Sequence, residues 1–114
     1  MRRVALLAVA LAVAGCGSKK PDPNVTLLNS VPVYPGAAAP KTTTTGAFGA
    51  RDWTLPAGTS AQTVVRWYEQ KLQARGWKIE GESFGTIRAT RKGTSLSVGV
   101  RGRTLEAVAN SAAG

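Results

Sequence analysis

Residues 59–77, with the sequence TSAQTVVRWYEQKLQARGW, decide the fold of this chain. Their apolar residues recur at helical spacing and form a single face, which consists of Ala61, Val64, Val65, Tyr68 and Leu72. Thr59 and Gln62 fit a capping box at the start of a helix. Gly76 fits the left-handed position that ends one. The stretch therefore predicts a helix over residues 60–75.

Runs that alternate apolar and polar residues flank this helix and predict short strands. They cover residues 48–55, 77–84, 86–91 and 94–101. The breaks between the last three runs, at Gly85 and at Lys92-Gly93, fit tight hairpin turns. Because only half of each strand is apolar, we expect an antiparallel sheet with one face packed on the helix and one face in water. The predicted fold class is α+β, with one helix on a small antiparallel sheet in the order β-α-β-β-β.

The segments around this core are less regular. Residues 31–36, VPVYPG, contain two prolines and predict an edge strand or an extended lead-in that ends in a turn. Residues 37–47 are rich in threonine and alanine and predict a connecting loop. Residues 104–114 are expected to form a C-terminal tail, with a short further element over residues 105–108. The predicted domain therefore covers residues 31–103.

The start of the chain has the layout of an export signal. Arg2 and Arg3 precede ten apolar residues at positions 4–13, and small residues lead to Cys16, the only cysteine. Ten residues are too few to cross a bilayer, which needs about 20 in a helix. An ordinary secretory signal with a chance cysteine remains the alternative interpretation.

The motif Val13-Ala14-Gly15-Cys16 resembles the lipobox of bacterial lipoproteins. The resemblance implies cleavage between Gly15 and Cys16 and attachment of a diacylglyceryl group to the Cys16 thiol. Two or three acyl chains anchor a protein firmly to a membrane. We therefore expect a signal peptide over residues 1–15 and a lipidated, flexible tether over residues 16–30. The expected location is a bacterial cell membrane or outer membrane, facing outside the cytoplasm.

A second resemblance concerns the domain itself. Three pieces carry it, namely Pro32-Val33-Tyr34-Pro35-Gly36-Ala37, Trp67-Tyr68-Glu69 with Leu72, and Gly76-Trp77. Together they resemble a recurrent, uncharacterised module of small bacterial lipoproteins, in which phenylalanine usually stands at the place of Trp67. The resemblance implies a strand, a helix and a β-meander, and it implies no activity.

The composition gives little support for catalysis. The chain contains no histidine and one cysteine, so it lacks a Ser-His or Cys-His pair and a thiolate or imidazole metal cluster. Glu80 and Glu82 lie two apart on a predicted strand and share a face there. We interpret them as solvent-facing charges rather than as an acid–base pair. We therefore expect no enzymatic activity, no cofactor and no metal.

The charge balance is strongly basic. Fifteen lysines and arginines stand against six acids, a formal net charge of +9. Several cations fall in the last two predicted strands and their turns, namely Arg88, Arg91, Lys92, Arg101 and Arg103. They form a candidate anion-binding patch for lipid headgroups or an anionic wall polymer. A solvated face that keeps the protein soluble is the alternative, and nucleic acid is not an expected partner because the protein is exported.

Two functions fit these observations. The first is a non-catalytic, membrane-anchored module that binds or scaffolds an envelope protein, for example through an exposed sheet edge. The second is an envelope module that binds anions through the basic sheet face. In both hypotheses the lipid anchor on Cys16 joins the protein to a membrane. The oligomeric state stays open.

Overall fold

The computed structural model describes residues 22–45 and 48–110. The predicted signal peptide, the predicted cleavage site between Gly15 and Cys16 and the predicted lipidation of Cys16 lie outside the described residues. The described part contains two helices and six strands: α1 (Pro23–Asn29), β1 (Ala38–Thr44), β2 (Gly49–Thr54), α2 (Ala61–Ala74), β3 (Lys78–Ser83), β4 (Thr86–Arg91), β5 (Thr94–Arg101) and β6 (Thr104–Asn110).

The six strands form one antiparallel sheet in the order β1-β2-β6-β5-β4-β3. Both helices pack on the same face of this sheet, where their apolar side chains join those of the strands in one core. The α+β class with a main helix on an antiparallel sheet is thus confirmed. The sheet is larger than predicted, because β1 and β6 were not expected as full strands.

Helix α2 is the main helix and contributes four buried side chains, Val64, Val65, Tyr68 and Leu72. Its end has the geometry that the sequence predicts. Gly76 has a φ of +88°, and the Trp77 N–H donates a hydrogen bond to the Leu72 carbonyl at 3.0 Å. Its start differs from the predicted capping box. Ser60 is the N-cap, and the Thr59 hydroxyl donates instead to the Pro56 carbonyl at 2.7 Å.

Helix α1 occupies part of the segment that was expected to be a flexible tether over residues 16–30. Asp22 caps this helix by accepting a hydrogen bond from the Asn24 N–H at 2.8 Å, and Pro23 stands at its first position. Leu28 is only 1% exposed and belongs to the core. The ordered domain therefore begins before residue 31. A polar, proline-bearing stretch forms a helix here because the core supplies an apolar site for Leu28.

Strand β6 replaces most of the C-terminal tail expected over residues 104–114. It lies between β2 and β5 in the middle of the sheet, and Leu105, Ala107 and Ala109 are fully buried. Gly102, with a φ of +61°, makes the tight turn that brings the chain back beside β5. The domain therefore extends to residue 110, because alternate residues of β6 pack in its core.

Strand β1 forms where a loop was expected over residues 37–47. All seven of its residues are exposed, and it pairs only with β2 at one edge of the sheet. The pairing is interrupted between Ala38 and Lys41, where Ala39 has a φ of +54°. The threonines that follow have high strand propensity and keep the pairing regular to its end.

Candidate functional site

The face of the sheet opposite the helices is the candidate site, and we call it the open face. Because side chains alternate along each strand, the residues that neighbour the buried ones point to this face. The strand register brings four of them into one row across the sheet, in the order Asp52, Glu106, Gly99 and Thr86. This row crosses four adjacent strands.

A groove of about 280 Å³ lies over this row. Gly99 forms its floor, because a Cβ atom at this position would lie 2.7 Å from the Thr86 Oγ1 atom. The groove is lined by carboxylates, hydroxyls, one arginine and apolar side chains: Asp52, Phe84, Thr86, Ser97, Gly99, Val100, Arg101, Thr104, Glu106 and Val108. Such a mixture can accept hydrogen bonds, donate them and contact an aliphatic or aromatic group.

The two carboxylates form the most unusual pair in the groove. Asp52 and Glu106 lie directly opposite each other on β2 and β6. Desolvation raises the pKa of Glu106 above its usual value, and the charge of Asp52 and a hydrogen bond to it add to this increase, while Arg101 opposes it. The Asp52 Oδ1 atom is buried and has no hydrogen-bond partner among the described residues. The pair therefore combines a buried carboxylate oxygen with a neighbouring carboxyl group that holds its proton more tightly than usual.

Phe84 stands at the lip of the groove, at the tip of the β3–β4 hairpin. Its side chain is fully exposed, and its φ is +52°, a left-handed conformation that is strained for a bulky residue. Gly85 beside it has a φ of +76°, so both central residues of the turn are left-handed. A strained and exposed aromatic residue contributes nothing to the core, and such outliers are concentrated at functional sites.

Two of the five predicted basic residues lie on the open face. Arg101 lines the groove close enough to Glu106 to lower its pKa. Arg88 lies one strand away and points across Gly81, where a Cβ atom would be 3.1 Å from its guanidinium nitrogen. These two cations therefore share a face with two carboxylates.

The other three predicted basic residues lie elsewhere. Arg91 faces the helix side, with its guanidinium 4.5 Å from the Trp77 ring centre. Lys92 is in the β4–β5 turn with a φ of +51°. Arg103 is in the β5–β6 turn and donates to the Leu55 carbonyl at 3.1 Å. The five residues thus form no single patch.

Arg91 and Lys92 instead line a second, shallow cleft of about 640 Å³ at one end of the sheet, which we call the basic cleft. It contains four cationic residues together with glycines and a hydroxyl: Arg75, Gly76, Lys78, Thr90, Arg91, Lys92 and Gly93. Nη1 of Arg91 donates to the Arg75 carbonyl at 2.8 Å. This bond holds the arginine against the C-terminal end of α2.

The sequence did not point to the Asp52–Glu106 pair. The two residues are far apart in the chain and meet only because β6 pairs with β2, whereas the sequence predicted a tail for that segment. One local signal was present. Trp53 and Leu105 are buried, and side chains alternate along a strand, so the adjacent acids Asp52 and Glu106 lie on the opposite face of the sheet. Glu80 and Glu82 have separate hydrogen-bond partners and do not form an acid–base pair. Glu80 accepts a hydrogen bond from the Thr90 hydroxyl at 2.6 Å, and Glu82 accepts one from the Gly85 N–H at 3.3 Å.

The described part of the chain also bears on two other kinds of site. Within residues 22–45 and 48–110, neither helix has the length and apolar character needed to cross a bilayer. Over the same residues there is no group of three or more Asp, Glu, Cys or His side chains placed to hold a metal ion.

The fold and the groove together define an α+β domain with one main helix on one face of its sheet and a concave surface on the other. Residues 53–110, just over half of the chain, match the START domain-like family, and the chain belongs to this family. The match begins at Trp53, near the end of β2, and runs to the end of β6, so it includes α2 and every groove residue except Asp52. No curated protein and no solved structure matches the chain.

Proposed function

We propose that this protein is a non-catalytic, membrane-anchored bacterial lipoprotein whose open face binds another envelope protein. The observation that carries the proposal is the groove over Gly99 with the strained and exposed Phe84 at its lip. The START domain-like match supports a ligand-binding fold in general terms. The anchor is the lipidated Cys16, and the domain is the part that contacts the partner.

A protein segment suits the groove better than a purely apolar or purely anionic ligand. The groove holds charges of both signs, with Arg101 beside the Asp52–Glu106 pair. The exposed carboxyl group of Glu106, beside Asp52, can accept a hydrogen bond from a backbone N–H or a basic side chain of a partner. Phe84 offers a large contact area, and phenylalanine is among the aromatic residues enriched at the cores of protein interfaces.

The open face is a better contact surface than either sheet edge. At one edge, β1 is interrupted between Ala38 and Lys41 and contains a proline. At the other edge, β3 is irregular between Ile79 and Gly81 and carries charged residues. Bulges, prolines and charges are the features that prevent an edge strand from pairing with another chain. We therefore assign the contact to the groove.

The anchoring part of the proposal has its own test. The Cys16→Ser chain is expressed in a bacterium that processes lipoproteins, and incorporation of labelled fatty acid is followed together with the intact mass. We expect labelling and loss of residues 1–15 in the natural chain and neither in the variant. Labelling that persists without Cys16 contradicts the assignment.

The contact part is tested by photocrosslinking of the full chain in intact cells. The crosslinking amino acid replaces Ser97, which lines the groove, or Gln73, which is exposed on α2. We expect one discrete adduct with another envelope protein from position 97 and none from position 73. Equal adducts at both positions, or none at position 97, reject the open face as the contact surface.

The alternative function, anion binding through a basic sheet face, rests on Arg88 and Arg101. Both lie on the open face, but Glu106 and Asp52 lie on it as well, and Arg101 already interacts with Glu106. These two carboxylates repel a negatively charged ligand at this face. Salt distinguishes the two functions, because binding to isolated envelope collapses between low and moderate salt if an anion is the ligand, whereas saturable capture of one protein persists.

A further inference from the structure

The basic cleft differs from the groove in its charge. Arg75, Lys78, Arg91 and Lys92 line it, and the residues that line it include no carboxylate. Arg91 is held in place by the Trp77 ring and by the Arg75 carbonyl, so its positive charge has a fixed position. Cations grouped around a concave surface concentrate anions there.

Among the described residues, the carboxylate of Glu80 reaches this cleft but does not neutralise it. The Thr90 hydroxyl, which lines the cleft, donates a hydrogen bond to Glu80 at 2.6 Å. Arg75 is partly engaged as well, because its Nη1 atom donates to the Ser30 carbonyl at 2.7 Å. Four positive charges against this one negative charge leave a clear surplus.

The place of the cleft in the fold supplies a second argument. One row across the sheet runs through Gly49, Ala109, Leu96, Ala89 and Ile79. On β3 and β4, the pair next to this row is Lys78 and Thr90, and both residues line the basic cleft. At its other side, the Cβ atom of Asn24 lies 3.1 Å from where a Cβ atom of Gly49 would be. The described chain therefore enters the domain at the same end of the sheet as the cleft.

Covalent geometry keeps this end close to the lipid anchor. Six residue steps separate Cys16 from Asp22, and a fully extended chain advances at most about 3.6 Å per residue, hence at most about 22 Å in all. The end of the sheet where Asp22 enters is consequently the end that a lipidated Cys16 holds near the membrane. The basic cleft lies at that end.

We propose that the basic cleft docks on anionic phospholipid headgroups of the membrane that holds the anchor. The inference rests on the proposed lipidation of Cys16 for its geometry, and it assigns the anionic ligand to a site other than the open face. Docking in this orientation directs the opposite end of the sheet, with the Phe84 hairpin, away from the membrane. Each cation near an anionic surface strengthens the association about five-fold, and salt weakens it.

The chain offers an internal control for a direct test. The full chain is extracted from membranes, its mass is recorded, and it is mixed with vesicles of phosphatidylcholine alone or of phosphatidylcholine with phosphatidylglycerol. A brief pulse of an amine-reactive reagent followed by mass spectrometry then reports each lysine. We expect labelling of Lys78 and Lys92 to fall about five-fold on the anionic vesicles. Labelling of Lys41 on β1, at the opposite edge of the sheet, is expected not to change.

A charge-reversal variant and a matched control sharpen the result. Lys78→Glu is expected to return the labelling of Lys92 on anionic vesicles to the value found with neutral vesicles. Lys41→Glu changes the net charge by the same amount at the opposite edge of the sheet and is expected to leave the protection of Lys92 intact. High salt is expected to remove the protection.

The other outcomes overturn the proposal. Unchanged labelling on anionic vesicles shows that the cleft does not dock on lipid. Equal protection on neutral vesicles shows that charge is not the cause. Protection by an anionic wall polymer, and not by vesicles, assigns the cleft to that polymer instead. The recorded mass shows separately whether Cys16 is acylated. Because the vesicles are in excess, an unacylated chain can also bind them, so the labelling tests the cleft whether or not Cys16 carries lipid.

Discussion

The hydroxyl of Tyr68 donates a hydrogen bond to the carbonyl oxygen of Pro32 at 2.8 Å. The same hydroxyl accepts a hydrogen bond from the Tyr34 N–H at 3.1 Å. One side chain of α2 thereby fixes the proline-rich lead-in on the surface of the helix. Tyr34 and Trp67 extend this contact, with ring centres 5.3 Å apart in an edge-on arrangement.

Tyr68→Phe is expected to destabilise the domain by about 2 kcal/mol, because it leaves a buried carbonyl and a partly buried N–H without their partner. Denaturant unfolding measures the loss. Tyr34→Phe is the matched control, since it also removes one hydroxyl but keeps the ring against Trp67. A loss for Tyr68→Phe no larger than that for Tyr34→Phe contradicts this role of the hydroxyl.

The same tyrosine predicts a loss of stability at alkaline pH. Burial raises the pKa of Tyr68 to about 12 from an ordinary value of 10.0. The folded protein therefore holds this proton when the unfolded chain has lost it, so stability falls as pH rises from 10 towards 12. Unfolding curves across this range should show the slope in the natural protein and a weaker slope in Tyr68→Phe.

Helix α1 provides a second test, which distinguishes a helix that belongs to the folded domain from a flexible tether. Leu28→Ala is expected to cost about 3 kcal/mol, as for other fully buried leucines. Leu27→Ala makes the same chemical change at a half-buried position and is expected to cost less. Denaturant unfolding of both variants provides the measurement, and equal, small losses would show that α1 does not belong to the domain.

Much of the fold could be predicted from the sequence, and α2 shows why. Val64, Val65, Tyr68 and Leu72 recur at helical spacing, and the structure buries all four. Strands β3, β4 and β5 carry an equally clear signal, since the turns at Gly85 and Gly93 separate them and both glycines have a positive φ. These elements are specified locally.

The remaining elements depend on contacts that no local pattern shows. Leu28 is buried by the core rather than by a periodic face of its own helix. Ala107 and Ala109 give a weak alternation because small residues contribute little apolar area, although they lie in a central strand. The groove was missed with β6, because the Asp52–Glu106 pair exists only once β6 lies beside β2.

The Asp52–Glu106 pair predicts a pH dependence at the open face. The pKa of Glu106 is raised, so the folded state favours its protonated form. The stability that this proton contributes is present below the ordinary carboxyl pKa and is lost as pH rises through the raised value. Glu106→Gln is expected to be more stable than the natural protein at neutral pH by about 0.5 kcal/mol, since it removes a like charge across the strands.

The two proteins are expected to have equal stability in acid, where Glu106 is protonated. Thermal unfolding at several pH values measures the difference. Glu69→Gln makes the same change on α2 and serves as the control for the loss of one charge. A Glu106→Gln gain that does not depend on pH contradicts the assignment to this carboxyl pair.

At Phe84, on the tip of the β3–β4 hairpin, we expect partner binding and the stability of the domain to favour different residues. Phe84→Asn is expected to stabilise the domain by about 1 kcal/mol, because asparagine tolerates the left-handed conformation better than phenylalanine does. Phe84→Ala keeps a Cβ atom and removes a ring that is fully exposed, so its stability is expected to change by less than about 0.5 kcal/mol. Both variants are expected to weaken the crosslink from position 97, because both lack the aromatic contact. If both retain the full crosslink, Phe84 is not part of the contact surface.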